Sequence, residues 1–314
     1  MKKTVELTFD ELYNIIVAED SEDCIDQGGY GLSSDSLQSA LEAKIDLPNH
    51  AKQAVLGIDV YRYSLFKPLQ QSLIPFVFHL LYSDAYRLAQ SGSPYLFQKC
   101  TDEEIAERFI DTGDGGFLLF DTPIHALVYA IFFELVLRAF NSFRVHPRLR
   151  HIIGMDISLR YAMSLDGAFR YAGNFFGPSI ITNARMLSKD HLNRFLIDQN
   201  TFDWFTRSTK GIENLACIDL QYLQSLPEFA EYDLAKANGD KETPFPLSRL
   251  PGAASRWKDI DVLKLGDVVA KTQTVSAYGL HIHFVATLGL NLFNMEKSSE
   301  FTITLGNLNT SGID

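Results

Sequence analysis

The chain has 314 residues, enough for one large domain or a domain with an appendage, and 46% of them are hydrophobic, enough for a proper core. Charged residues make up 21%, which excludes an intrinsically disordered chain. A formal net charge of −11 argues against a nucleic-acid backbone or an anionic membrane as partner. It leaves room for a small anionic ligand held through a metal and local arginines.

Residues 1–50 read as a helical, peripheral segment. Thr8-Phe9-Asp10-Glu11 has capping-box spacing ahead of Leu12, Ile15 and Ile16. A Gly- and Ser-rich loop is expected at Gly28 to Ser34 and a second helix over about Asp35 to Ile45. The acids Glu19, Asp20, Glu22 and Asp23 read as a solvated loop, since they lack calcium-loop spacing.

From Ala54 the texture changes. A buried strand over 54–62 contains Asp59 inside an otherwise apolar pattern, followed by an apolar helix over Leu69 to Gln90. Two strands bracket the turn Gly113-Asp114-Gly115-Gly116, whose glycines supply the positive φ that a tight hairpin needs. A further apolar helix covers Pro123 to Phe143. Its stretch from Ile124 to Phe140 carries His125, Glu134 and Arg138 and is short for a membrane span, so it reads as a buried helix. Strands are expected around Ile152 to Met163 and Phe169 to Ala172. A helix then runs from Pro178, suited to a first turn, to Lys189. A strand at Arg194 to Ile197 and a helix over Gln199 to Phe205 complete this region. The order begins β-α-β-β-α-β, which reads as an α+β, ferredoxin-like palm.

Residues 240–256, with Pro244, Pro246, Pro251 and Gly252, read as a loop or boundary. Strands are expected beyond it at Val268 to Ser276, Gly279 to Ala286 and Phe301 to Leu305. The resulting division is a helical segment (1–50), a catalytic domain (51–235) and a β-rich C-terminal extension (236–314), which could sense a trigger or brace a dimer. Cys24, Cys100 and Cys217 are scattered and form no CxxC pair, so neither a zinc site nor a disulfide framework is indicated. With Met1-Lys2-Lys3 leading into a polar segment rather than a signal peptide, a reduced cytoplasmic setting is expected.

Asp59 and Asp114 carry the chemistry. A carboxylate on a turn serves either the turn or a site, but an unpaired charge within a buried strand is costly and asks for a partner. Two such acids on neighbouring strands can hold magnesium or manganese against a triphosphate. The stretch Gly173 to Leu187 adds Asn183 and Arg185, two residues apart; Arg185 can clamp a phosphate. His281 and His283 share one strand face as a possible metal pair, but no third ligand is evident, and a structural role is favoured. Phe132, Phe133, Phe140 and Phe143 read as core.

Together these segments resemble the class III nucleotide cyclase catalytic domain, over about residues 52–215. Asp59-Val60 and Gly113-Asp114 match that family's metal elements, and Gly177 and Arg185 match the two ends of its G-x-x-V-N-x-x-x-R helix. The resemblance implies two magnesium or manganese ions per site, transition-state stabilisation by Arg185 with Asn183, and a homodimer whose active sites are shared between chains. The sequence also departs from the family. The purine-reading lysine position is Ile110, the purine-reading acidic or hydroxyl position is Asn174, and the transition-state Asn position falls on Ile181. Losing those polar readers argues against adenine.

The runs around Asp59-Val60-Tyr61-Arg62-Tyr63-Ser64, Thr112 to Phe117 and Asn183 to Asp190, with the stretch from Arg160 through Tyr171, resemble the pyrimidine cyclases of Pycsar anti-phage systems. That resemblance implies cyclic UMP or cyclic CMP made from UTP or CTP, with uridine favoured, and a separate effector protein that the product activates. Tyr61 and Tyr63 beside the metal strand would narrow the base pocket. Two other readings stay open: a catalytically inactive, nucleotide-sensing cyclase-like module, and another palm enzyme such as a purine or dinucleotide cyclase. No Gly-Gly-Asp/Glu-Glu-Phe hairpin supports the diguanylate version.

Overall fold

The computed structural model describes residues 6–22, 35–44, 52–171, 174–237, 256–270, 273–288 and 299–313. The chain begins with β1 (Glu6–Leu7), α1 (Phe9–Glu22) and α2 (Asp35–Lys44). The palm elements follow as β2 (Lys52–Val60), α3 (Pro68–Gly92), α4 (Asp102–Glu107), β3 (Phe109–Asp111), β4 (Gly115–Phe120), α5 (Pro123–Asn141), α6 (Pro147–Ile153) and β5 (Leu159–Gly167). Next come β6 (Phe169–Tyr171), β7 (Asn174–Phe176), α7 (Pro178–Lys189), β8 (Phe195–Asp198), α8 (Gln199–Thr209) and α9 (Leu220–Gln224). The C-terminal strands are β9 (Arg256–Ala270), β10 (Gln273–Leu288) and β11 (Ser299–Leu305).

At the first helix, Glu11 N–H donates to Thr8 Oγ1 at 3.2 Å and Thr8 N–H to Glu11 Oε2 at 3.0 Å, the reciprocal pair that the sequence predicts. Glu19, Asp20 and Glu22 lie in the last turns of α1 rather than in a loop. Asp23, Cys24, the Gly28–Ser34 loop, Gly173 and residues 240–255 lie outside the described residues. Ile152, expected in a strand, belongs to α6, where Pro147 opens a short helix at its first turn.

The β-α-β-β-α-β order holds. In the main sheet the palm strands stand as β5-β2-β4-β3, with β2 antiparallel to both β4 and β5, which is the ferredoxin-like arrangement. Beyond β5 lies β8, parallel to it, and α7 supplies the helical crossover that a parallel neighbour requires. The same sheet continues without a break into the C-terminal strands. The long β10 pairs with β8 through Ala277–Leu280 and with β11 through Ile282–Leu288, while β9 lines its other edge.

Helix α5 passes under the sheet as the centre of the core. It is apolar around nearly its whole circumference because it is buried between α3 and the strands, with Arg138 its exposed exception. It is long and apolar enough to cross a membrane by length and composition, yet 94% of its most apolar window is buried within the fold. Its one buried acid, Glu134, is partnered: Arg138 Nε donates to it at 2.8 Å and Tyr161 Oη at 2.9 Å. Burial still pushes the Glu134 carboxyl upward.

The two faces of the sheet differ in a way that positions the site. Ala54, Leu56, Ile58 and Val60 of β2 point into the large core with α3 and α5. The alternate residues, Val55, Gly57 and Asp59, take the other face, on which α7 packs.

Candidate active site

Asp59 stands near the end of the central strand, directly opposite Gly115 on one side and Arg160 on the other. Gly115 matters for its lack of a side chain: a Cβ there would come within 2.1 Å of the Ile58 carbonyl oxygen. The hairpin can therefore close onto β2, and Val60 N–H donates to the Asp114 carbonyl at 3.0 Å. This brings the two carboxyl groups close enough for the Asp114 charge to act on Asp59. Burial is the main force pushing the Asp59 carboxyl upward, Arg160 opposes it, and Asp114 adds to the upward push.

The hairpin contains a second acid, and the division of labour between the two is informative. Asp111 accepts from Gly113 N–H at 2.7 Å and contacts His79 Nε2 at 2.9 Å. The His79 hydrogen bond and the Gly113 N–H hold its carboxyl below the usual range. Asp111 thus builds the turn, and neither contact needs the Asp114 carboxylate. Asp114 is half-buried, and its charge adds to the upward push on the Asp59 carboxyl.

Among the described residues no three His, Cys, Asp or Glu side chains converge to hold a metal by themselves. Two carboxylates and a nearby backbone make an all-oxygen donor set of low coordination. That fits a hard cation which keeps water and substrate phosphate in its remaining positions. The Val60 side chain is buried on the opposite face, so Val60 can offer such a cation only its carbonyl oxygen.

Helix α7 delivers Arg185 and Asn183 to different places. Ser179, Thr182, Asn183, Met186 and Leu187 are buried against the sheet, whereas Ile181 is 48% exposed and Arg185 half-buried. Asn183 is fully buried: its Nδ2 donates to the Val55 carbonyl at 2.7 Å and the Ala162 carbonyl at 2.9 Å, with Ser164 Oγ at 3.3 Å. The expected contact between Asn183 and a phosphate is therefore corrected. Its amide is committed to the sheet, and it clamps α7 onto β2 and β5.

The residues expected to border a base lie in several places. Ile110 is half-buried and packs against the small cluster of Val55, Leu119 and Ala168, as Phe117 and Phe175 also do. Asn174, next to Phe175, is exposed at the start of β7. The Tyr61 hydroxyl donates to the His191 carbonyl at 3.1 Å, and the Arg62 guanidinium lies over its ring at 5.0 Å. Tyr63 turns the other way, its hydroxyl donating to the Gln71 carbonyl at 2.8 Å beside the core.

Arg160 is the residue that sequence reasoning passed over. It alternates with buried Leu159 and Tyr161 and so takes the α7 face. Its Nε donates to Asp59 Oδ2 at 2.5 Å and its Nη1 to the Asp190 carbonyl at 2.6 Å. The period-two pattern of β5 was a usable signal for its face, but its partner was not, because cross-strand register is a tertiary property.

At the far end of the sheet, His281 and His283 face Asp261 and Asp259 across the β9–β10 pair, at 3.5 and 3.8 Å. These are pairwise cross-strand contacts, in keeping with a structural role.

No family model and no curated protein matches the sequence. Among solved structures, the chain is similar to an adenylate/guanylate cyclase/hydrolase from Silicibacter pomeroyi, at 14% identity over 73% of this chain and 95% of that one, with a TM-score of 0.36. It is also similar to the adenylyl cyclase CyaB from P. aeruginosa (12% identity, 73% and 93% covered, TM-score 0.35). A third similarity is to adenylate cyclases from Trypanosoma brucei in their monomeric state (12% identity, 81% and 94% covered, TM-score 0.36). The ferredoxin-like palm assignment rests on the strand order described above.

Proposed function

We propose that this protein is a metal-dependent nucleotide cyclase that converts a pyrimidine ribonucleoside triphosphate, UTP in preference to CTP, to its 3′,5′-cyclic monophosphate and pyrophosphate. The observation that carries the reading is the hairpin. Asp111 serves the turn, which leaves the Asp114 carboxylate outside that task and beside the buried Asp59.

In this reading the ribose 3′-hydroxyl attacks the α-phosphate in line and pyrophosphate departs. Bound magnesium or manganese, two per site, would neutralise the triphosphate and lower the pKa of the attacking hydroxyl. Asp59, Asp114 and the Val60 carbonyl would hold the cations, and Arg185 would stabilise charge on the α-phosphate. Asn183 acts at one remove, by fixing the helix that carries Arg185. Tyr61, Ile110 and Asn174 border the base, where the apolar Ile110 removes the charged partner that adenine would need. The chain's contribution is positioning and electrostatics.

Arg185 and the carboxylates belong to opposite chains of a homodimer in this reading. Phe176 and Ile181, 45% and 48% exposed on and beside α7, supply apolar surface for a second copy. The product would act as a second messenger on a separate effector protein in cytoplasmic anti-phage defence, as the Pycsar resemblance implies.

One observation favours a second reading, an inactive nucleotide-sensing module: the Asp59 carboxylate is already engaged by Arg160. The deciding experiment incubates purified protein with manganese and each of the four ribonucleoside triphosphates and reads the products by mass. Cyclic UMP or cyclic CMP is expected. No product supports the sensing module, and a cyclic purine or a dinucleotide refutes the pyrimidine reading.

A further inference from the structure

Arg160 stands where a cation's charge is needed. Both ends of its guanidinium are held, by Asp59 Oδ2 and by the Asp190 carbonyl. Asp190 is itself immobilised: its carboxylate accepts from Arg194 Nε and from Arg194 N–H, each at 2.8 Å, at the point where α7 ends. The Arg160 and Asp59 side chains are only 23% and 16% exposed, so solvent screens the pair poorly. A guanidinium held this way is a fixed positive charge rather than a mobile surface arginine.

Such a charge has a consequence for cation binding. A divalent ion that approaches Asp59 and Asp114 meets an acid whose charge is already neutralised, and a second positive group within a few ångströms. A polyphosphate arriving with the ion reverses this balance, since its anionic oxygens are the natural bidentate partners of a guanidinium. We infer that Arg160 is the resident counter-charge of the two-carboxylate site and discriminates against the bare divalent cation. The ion is then admitted together with a polyphosphate anion, which takes over the guanidinium as the ion takes over Asp59. This inference rests on the metal-nucleotide reading of the site and adds an order of binding to it. Arg160 acts here through Asp59, as a selectivity and positioning residue.

The test is titration of Mn²⁺, followed by electron paramagnetic resonance, into the full chain and into Arg160→Gln, Arg160→Lys and Asp59→Asn. Each titration is run with Mn²⁺ alone and with equimolar inorganic tripolyphosphate. Arg160→Gln should bind bare Mn²⁺ at least tenfold more tightly than the parent, and Arg160→Lys, which keeps the charge, should stay within about threefold of it. With tripolyphosphate the advantage of Arg160→Gln should vanish or reverse. Binding that depends on Asp59 but is not tightened by Arg160→Gln overturns the inference alone. Binding that Asp59→Asn leaves unchanged overturns the metal reading of the site and the inference with it. Thermal melts of each variant show that the comparison is between folded proteins.

Discussion

Replacing Asn183 separates a structural clamp from a group that touches phosphate. Asn183→Ala removes hydrogen bonds at 2.7 and 2.9 Å inside the fold and a longer one at 3.3 Å. At about 1 kcal/mol net for each of the two shorter bonds, the loss is about 2 kcal/mol. It is partly offset because Asn183 Oδ1 is buried without a hydrogen-bond partner. The neighbouring Gly57 sharpens the test. A Cβ at Gly57 would meet Asn183 Oδ1 at 2.1 Å and Leu187 Cδ1 at 2.7 Å, so Gly57→Ala should cost about 1–3 kcal/mol through overpacking. With Asn183 shortened to alanine, most of that clash disappears. The double variant should therefore be more stable than the sum of the single losses by about 1 kcal/mol or more. Urea unfolding of the four proteins, with the slopes compared for two-state behaviour, measures this coupling. Strictly additive losses would refute the clamp. So would an Asn183→Ala protein of parental stability whose turnover has fallen about a hundredfold, the signature of a lost transition-state contact.

Four further outcomes are expected. Asp114→Ala and Arg185→Ala should each abolish cyclic product alone, and a mixture of the two should recover partial activity; no recovery, with mixed dimers shown to form, counts against sites shared between chains. Gly115→Ala should push the hairpin from β2, because its Cβ would overlap the Ile58 carbonyl, and should weaken Mn²⁺ binding at least tenfold in a fold that still melts cooperatively. Tyr61→Ala frees the His191 carbonyl and should alter the ratio of UTP to CTP turnover; an unchanged ratio removes Tyr61 from the base pocket.

The fourth concerns acid. Burial pushes the His125 imidazole down to about 4, so the unfolded chain holds the extra proton between about pH 6.5 and 4, and stability falls as pH falls through that window. Burial pushes the Asp198 carboxyl up to about 6, so there the folded chain holds the extra proton, and stability rises as pH falls from about 6 to 4. The two slopes oppose each other in the parent protein. Asp198→Asn, which removes only the second, should lose urea stability more steeply than the parent between pH 6 and pH 4, and equal slopes would contradict the assignment.

Several elements were legible because their signals are local. The Thr8–Glu11 capping box and the Pro178 helix start depend on residues within a few positions, and each stands where its pattern puts it; the hairpin turn does so at Gly113, with positive φ, while Gly115 and Gly116 already belong to β4. The long apolar helix and the buried strand around Asp59 were legible from hydrophobic runs alone. Ile152 misled for the opposite reason: an apolar pair fits a strand or a short helix equally well, and Pro147 with its neighbours decided for the helix.

By itself the sequence determined the kinds of element, their order, one acid inside a buried strand where an acid is expensive, and a second acid on the following hairpin turn. Tertiary structure decided which of the hairpin's acids is held at the turn, because His79 reaches Asp111 from α3. It also decided that Asn183 faces inward, since the Val55 carbonyl and the bare Gly57 lie more than a hundred residues away in the chain. Arg160 entered the site the same way. Strand register sets its place opposite Asp59, and register is fixed by the packing of two faces at once rather than by any stretch of neighbouring residues.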